Sequence, residues 1–152
     1  MEEFKVLIPD EELIIIEYEA ENLPSIIVVN SSLKKFEPKS VFSWNLSIII
    51  QFNELNNNGM PKKDETDLVI PFEEYIDNEI KGKDKNKPNS LFLARITWNG
   101  TREIIYRVYE PEIVNNFLQN IIENKKYPRD FDFRMESDEN WELNKWFLEN
   151  IK

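Results

Sequence analysis

Apolar and polar residues alternate most strictly over residues 41–52. Phe42, Trp44, Leu46, Ile48, Ile50 and Phe52 share one parity, and Val41, Ser43, Asn45, Ser47, Ile49 and Gln51 the other. A period of two over that length predicts a half-buried strand with the first set inward. Residues 13–19 and 26–29 are rich in β-branched side chains and flank Asn22-Leu23-Pro24-Ser25, which predicts an N-terminal hairpin turning there. Residues 31–40 read as loop, and Asn56-Asn57-Asn58-Gly59-Met60-Pro61 breaks the chain. Over 64–80, Val69, Phe72, Ile76 and Ile80 recur at helical spacing. Asp64 or Thr66 is expected to cap that helix. Pro71 is expected to kink it or to open a second one.

Asn99-Gly100 between residues 90–98 and 101–109 is a strong hairpin signal, because both central residues of a type I′ turn take positive φ. The register sets Trp98 against Thr101, Ile96 against Glu103 and Ala94 against Ile105. One face is predicted to gather Phe92, Ala94, Ile96, Trp98 and Ile105. The other gathers Arg95, Thr97, Arg102 and Tyr106, with Leu91, Leu93 and Val108 toward the open end. Pro111 suits a first helical residue, and Ile113, Val114, Phe117, Leu118, Ile121 and Ile122 form an apolar stripe after it. Residues 129–136 alternate again, placing Phe131, Phe133 and Met135 against Asp130, Asp132, Arg134 and Glu136. Asp138 is predicted to cap a last helix bearing Trp141, Trp146, Phe147, Leu148 and Ile151.

From residue 41 the order is β-α-β-β-α-β and then a helix. This predicts an α+β fold, a ferredoxin-like (βαββαβ) sandwich with an added N-terminal β-hairpin and a C-terminal helix. Strand 41–52 would be central and 129–136 an edge. Both helices would cover the face bearing Phe42, Trp44, Leu46, Ile48, Phe131 and Phe133. Residues 1–152 read as one domain: hairpin and loop over 1–40, core over 41–137, helix over 138–152. Ser43, Asn45, Ser47 and Gln51, with Arg95, Arg102 and Tyr106, would line the opposite sheet face. That face would be a binding surface, or be covered by the N-terminal hairpin or a second subunit.

The composition narrows the chemistry. The 152 residues include 29 acids, 19 bases and no histidine or cysteine, a net charge of −10. No thiolate, disulfide or imidazole chemistry is therefore open to the chain, while carboxylates alone remain for metal binding or acid–base work. The charge disfavours nucleic acid and anionic membrane and favours a basic protein. Met1–Lys5 lacks the pattern of a secretory signal, and no apolar run is long enough to span a bilayer, so a cytoplasmic protein is expected.

The acid is unevenly spread. Segment charges are −7 over 1–33, +3 over 34–63, −7 over 64–80, +5 over 81–109 and −4 over 110–152. Candidate partner-binding residues are Glu17 and Glu19 on the first hairpin, Asp130, Asp132 and Glu136 on the edge strand, and Asp138, Glu139 and Glu142 after it. Trp141 is the candidate aromatic hot spot. Solubility and protection of a sheet edge are the competing explanations of these carboxylates. Lys81, Lys83, Lys85 and Lys87 read as a solvated loop.

Three motifs carry a family resemblance. They are Gly59-Met60-Pro61 before an acidic helix, an Asn-Gly hairpin ending Tyr106-Arg107-Val108-Tyr109, and Asp138-Glu139-Asn140-Trp141 before an aromatic-rich helix. Together they resemble the bacterial domain of unknown function 695 family and, more distantly, the ribonuclease E inhibitor B family. The resemblance implies an acidic, non-enzymatic protein with no catalytic residues and no cofactor. By analogy with inhibitors and immunity proteins, it would occlude a basic nuclease or toxin. A self-associating structural domain and a carboxylate-only metal-binding protein are the alternatives.

Overall fold

In the computed structural model, which describes residues 6–151, the N-terminal segment forms two strands, β1 (Leu13–Ala20) and β2 (Leu23–Asn30). They turn at Glu21-Asn22, where both φ values are positive (52° and 66°), as a two-residue hairpin needs. The turn therefore lies one residue earlier than the Asn22–Ser25 reading. Pro24 sits within β2 opposite Glu19.

β3 spans Trp44–Gln51, so the alternation from 41 overstates the strand. Lys39–Phe42 is a short 3₁₀ turn, and Ser43 has helical dihedrals (φ −81°, ψ −5°). That residue breaks the pleat and sends Phe42 to the face opposite Leu46, Ile48 and Ile50. α1 (Lys63–Lys81) runs continuously through Pro71, and no second helix begins there. Its N-cap is Lys62, without a side-chain cap, and Thr66 Oγ1 instead donates to the Lys63 carbonyl. β4 (Ser90–Trp98) and β5 (Thr101–Val108) pair in the expected register from the Asn99-Gly100 turn. α2 (Pro111–Glu123) starts at Pro111, and β6 (Phe131–Ser137) follows. Asp138 precedes a 3₁₀ turn at Glu142–Asn144 and a short α3 (Lys145–Glu149) instead of one longer helix.

The six strands form one sheet in the order β1-β2-β4-β5-β3-β6, every neighbouring pair antiparallel. This is a mixed α/β fold whose order is not a simple ferredoxin-like one: the hairpin lengthens the sheet beyond β4. α1 and α2 cover one face. Val69, Phe72, Ile76, Val114, Leu118 and Ile121 bury against Leu46, Ile48, Ile50, Ile104, Tyr106 and Val108 there. A second core occupies the other face, where Ile27, Val29, Leu93, Ala94 and Ile105 meet Leu33, Phe36, Phe42, Trp141 and Leu148. That face is thus covered in part by the turns at 31–43 and by the C-terminal segment. The N-terminal hairpin instead extends the sheet.

A bulge at Leu93 explains one misplaced face. Phe92 pairs with Tyr106 and Ala94 with Ile105, so Leu93 is the extra residue and parity flips across it. Phe92 consequently packs against the helix-side core, while Leu91, Leu93 and Ala94 lie in the second.

Candidate functional site: the open carboxylate face beside β6

The register of β3 with both neighbours builds the site. Ile49 stands opposite Glu103 on β5 and Asp132 on β6. Directly opposed residues share a face, so two carboxylates flank Ile49, each about 4.8 Å away at the backbone. In the next rows Ser47 lies between Ile105 and Arg134, and Asn45 between Arg107 and Glu136. Phe147, Leu143 and Asn144 close one end of this strip. The result is a cleft of about 360 Å³.

Its polar groups divide by burial. Ser47 Oγ donates to Glu103 (2.5 Å), and Arg134 pairs loosely with Glu136 (3.6 Å) at the solvent edge. Deeper in, Arg107 is fully buried and donates to Asn45, Asn144 and Asp138 and to the Phe42 and Asp138 carbonyls. Burial lowers its pKa to about 10, opposed by the hydrogen bond and charge of Asp138. Its guanidinium lies 4.9 Å from the Trp141 ring centroid. Arg107 therefore fastens the C-terminal segment onto the sheet at the end of the cleft.

The predicted site residues separate into three groups. Asp132 and Glu136 line the cleft. Asp130 lies just before β6, its carbonyl accepting from Gln51 N–H, and Glu139 and Glu142 are exposed beyond it. Glu17 and Glu19 stand on β1, at the opposite edge of the sheet, five strand spacings or about 24 Å away. The third group is internal. Trp141 is 2% exposed and donates its Nε1–H to the Lys39 and Phe42 carbonyls, so it anchors the second core instead of presenting a hot spot. The Asp138 side chain is 9% exposed, bonded to Arg107 and to the Glu142 and Leu143 amides.

Arg95, Arg102 and Tyr106 do not share this face. Tyr106 is opposite Leu46 and Arg102 opposite Ile50, which sets them on the helix side. There Arg102 pairs with the buried Glu73 (3.1 Å), and the Tyr106 hydroxyl donates to Asp77 (2.7 Å). Burial and the Asp77 carboxylate raise the Tyr106 pKa well above its usual value. Glu103 was missed because its hairpin position predicts only a partner for Ile96. Only the β3–β5 register, a long-range pairing, brings it to Asp132.

Buried carboxylates are matched within the chain: Glu65 with Arg129, Glu73 with Arg102, Asp138 with Arg107. Among the described residues, Glu17, Glu19, Glu103, Asp132 and Glu139 form no ion pair with a cation of the chain. Among those residues, too, no three acids gather closely enough to hold a metal ion, and no helix is long and apolar enough to cross a membrane. Ile49, with a carboxylate on either side, suits the stem and head of an inserted Lys or Arg.

The three motifs noted in the sequence turn out to be fastenings. Arg107 binds Asp138 and faces Trp141, and Gly59 lies against Asn99 with its carbonyl accepting from Gly100 N–H (2.7 Å). No curated protein and no solved structure matches the chain. Residues 17–149, from β1 to the end of α3, match the model of a family of unknown function, DUF695, and the chain belongs to that family.

Proposed function

We propose that this protein is a non-enzymatic cytoplasmic binding protein that inhibits a basic protein partner by occlusion, the partner being a nuclease or toxin. What supports the reading is the division of its acids. Buried carboxylates are neutralised by the chain's own arginines, while Glu103 and Asp132 stand on either side of Ile49 and form no ion pair among the described residues. An Arg or Lys of the partner enters that cleft, and the surrounding acid steers the encounter. We infer in addition that β3, α1, β4, β5, α2 and β6 form a ferredoxin-like unit related at a distance to the ribonuclease E inhibitor B family. The antiparallel order β4-β5-β3-β6, with each helix linking strands that flank a third, supports that relation.

The test is affinity capture from a native lysate, with wild type and a Glu103→Lys/Asp132→Lys variant as baits at low and high salt. A basic protein held by the wild type at low salt, released at high salt and lost from the variant is expected. Capture of the same proteins by both baits, or of none, would overturn the reading.

A further inference from the structure

We propose that the outer edge of β1 docks an extended, basic segment of a partner protein, which adds to the sheet as a seventh strand. This edge is separate from the cleft beside β6 and does not depend on it.

Among the described residues β1 is a terminal strand, paired with β2 alone. The Ser31 N–H donates to the Glu12 carbonyl (2.7 Å) in line with that register. Antiparallel ladders alternate, so the even residues of β1 turn their backbone groups toward β2. The N–H and C=O of Leu13, Ile15, Glu17 and Glu19 therefore point outward. Pro24 fits this phase, since it stands opposite Glu19, where β2 owes β1 no donor. A row of outward donors and acceptors is a template for a further strand.

The same four side chains define what fits. They share the helix side of the sheet, beyond the cover of α1, with Leu13 56% and Ile15 69% exposed. Ile70 and Glu74 of α1 face Leu13 across a groove of about 420 Å³. Going along β1, an apolar pair is followed by two carboxylates that make no ion pair among the described residues. The complementary segment carries apolar residues opposite Leu13 and Ile15 and Lys or Arg opposite Glu17 and Glu19. A second copy of β1 fits poorly. In every antiparallel register that opposes the outward residues of two copies over most of the strand, Glu17 meets an apolar residue or another carboxylate. The far edge of the sheet differs as well. β6 sets Asp132, Arg134 and Glu136 along one face, charges of both signs that guard an edge, whereas Leu13–Ile16 carries no charge at all.

The probe is a fluorescein-labelled eight-residue peptide with lysine at positions one and three, valine at five and seven and threonine between them, so that one strand face reads basic then apolar antiparallel to β1. Binding is read by anisotropy, with two further versions N-methylated on the lysines and valines or on the threonines. Only one alternate set of peptide amides can face β1. One methylated version should therefore bind at least about tenfold more weakly, and the other like the parent. Glu17→Lys/Glu19→Lys should cost at least about tenfold, while Glu103→Gln/Asp132→Asn should leave binding unchanged, which separates this edge from the cleft. Circular dichroism checks that each variant folds. Equal binding of both methylated peptides, binding indifferent to charge reversal on β1, or no binding would overturn the proposal. So would dimerisation of the wild type in sedimentation that Ile15→Lys abolishes, since a second copy would then own the edge.

Discussion

The side chains that matter most to stability are those that neutralise one another inside. Glu65 begins α1 almost fully buried, bound by Arg129 (2.5 Å) and accepting the Asn53 N–H. The hydrogen bond from Arg129 outweighs burial and lowers its pKa from 4.5 to about 2. A carboxyl with a depressed folded pKa contributes stability above its unfolded value and loses it as pH falls. The stability read by denaturant unfolding should therefore fall as pH drops from 4.5 to about 2, and Glu65→Gln should flatten that slope. Arg107 sets a second test. Arg107→Met takes the cation from Asp138, which keeps only the Glu142 and Leu143 amides, and a donor from Asn144 in a closed site, and removing one partner of a buried pair costs about 3–5 kcal/mol. Thermal unfolding of this variant should start with loss of the Trp141 fluorescence environment, because the same guanidinium faces that ring.

At the scale of elements, two positions run against local propensity. Pro71 lies inside α1, where it removes an amide donor from the helix, yet its position is exposed, so water can satisfy the freed carbonyl. Pro71→Ala should stabilise by up to about 3 kcal/mol in denaturant titration. Gly59 holds the loop after β3 against the β4–β5 turn. Its φ is +83°, and an added Cβ would stand 3.0 Å from the Asn99 Cα. Gly59→Ala should cost about 1–3 kcal/mol from strain, before any clash with that backbone. These elements also show what the sequence discloses. Periodicity found β3, α2, β6 and the register of the Asn99-Gly100 hairpin, because each is a local pattern with one buried face. It misplaced Phe42 and Phe92, because the helical dihedrals of Ser43 and the bulge at Leu93 each insert one step that apolarity does not mark. It likewise offered Trp141 and Asp138 as surface, since their burial depends on Arg107, more than thirty residues away. Glu103 joined the candidate cleft only through long-range pairing, whereas Asp132 and Glu136 were visible as the charged parity of an edge strand.

Over the whole molecule, the net charge of −10 acts on stability as well as on encounter. Among the acids that form no ion pair with a described residue, Glu17 and Glu19 sit on β1 and Glu103 and Asp132 toward the other end of the six-stranded sheet, so they repel across the surface without contact. Surface repulsion is screened once the Debye length falls to about 10 Å, near 0.1 M salt. The ion pairs that lock the structure behave differently, because Glu73–Arg102 and Arg107–Asp138 are buried and little screened, and exposed pairs such as Lys63–Asp67 contribute little at any salt. Salt should therefore remove more repulsion than attraction. Raising sodium chloride from about 10 mM to about 200 mM, which shortens the Debye length several-fold, should raise Tm. A rise of about 2–4 °C would correspond to about 1 kcal/mol in a chain of this length. Neutralising four of the acids that make no ion pair, in a Glu17→Gln/Glu19→Gln/Glu103→Gln/Asp132→Asn variant, should raise Tm at low salt and shrink the further gain from salt. A Tm that falls with salt in the wild type would mean that attraction between surface charges, and not their excess, governs the fold. The same variant should slow capture of a basic partner, so one set of substitutions separates a molecule tuned for solubility from one whose acid excess costs stability in order to bind.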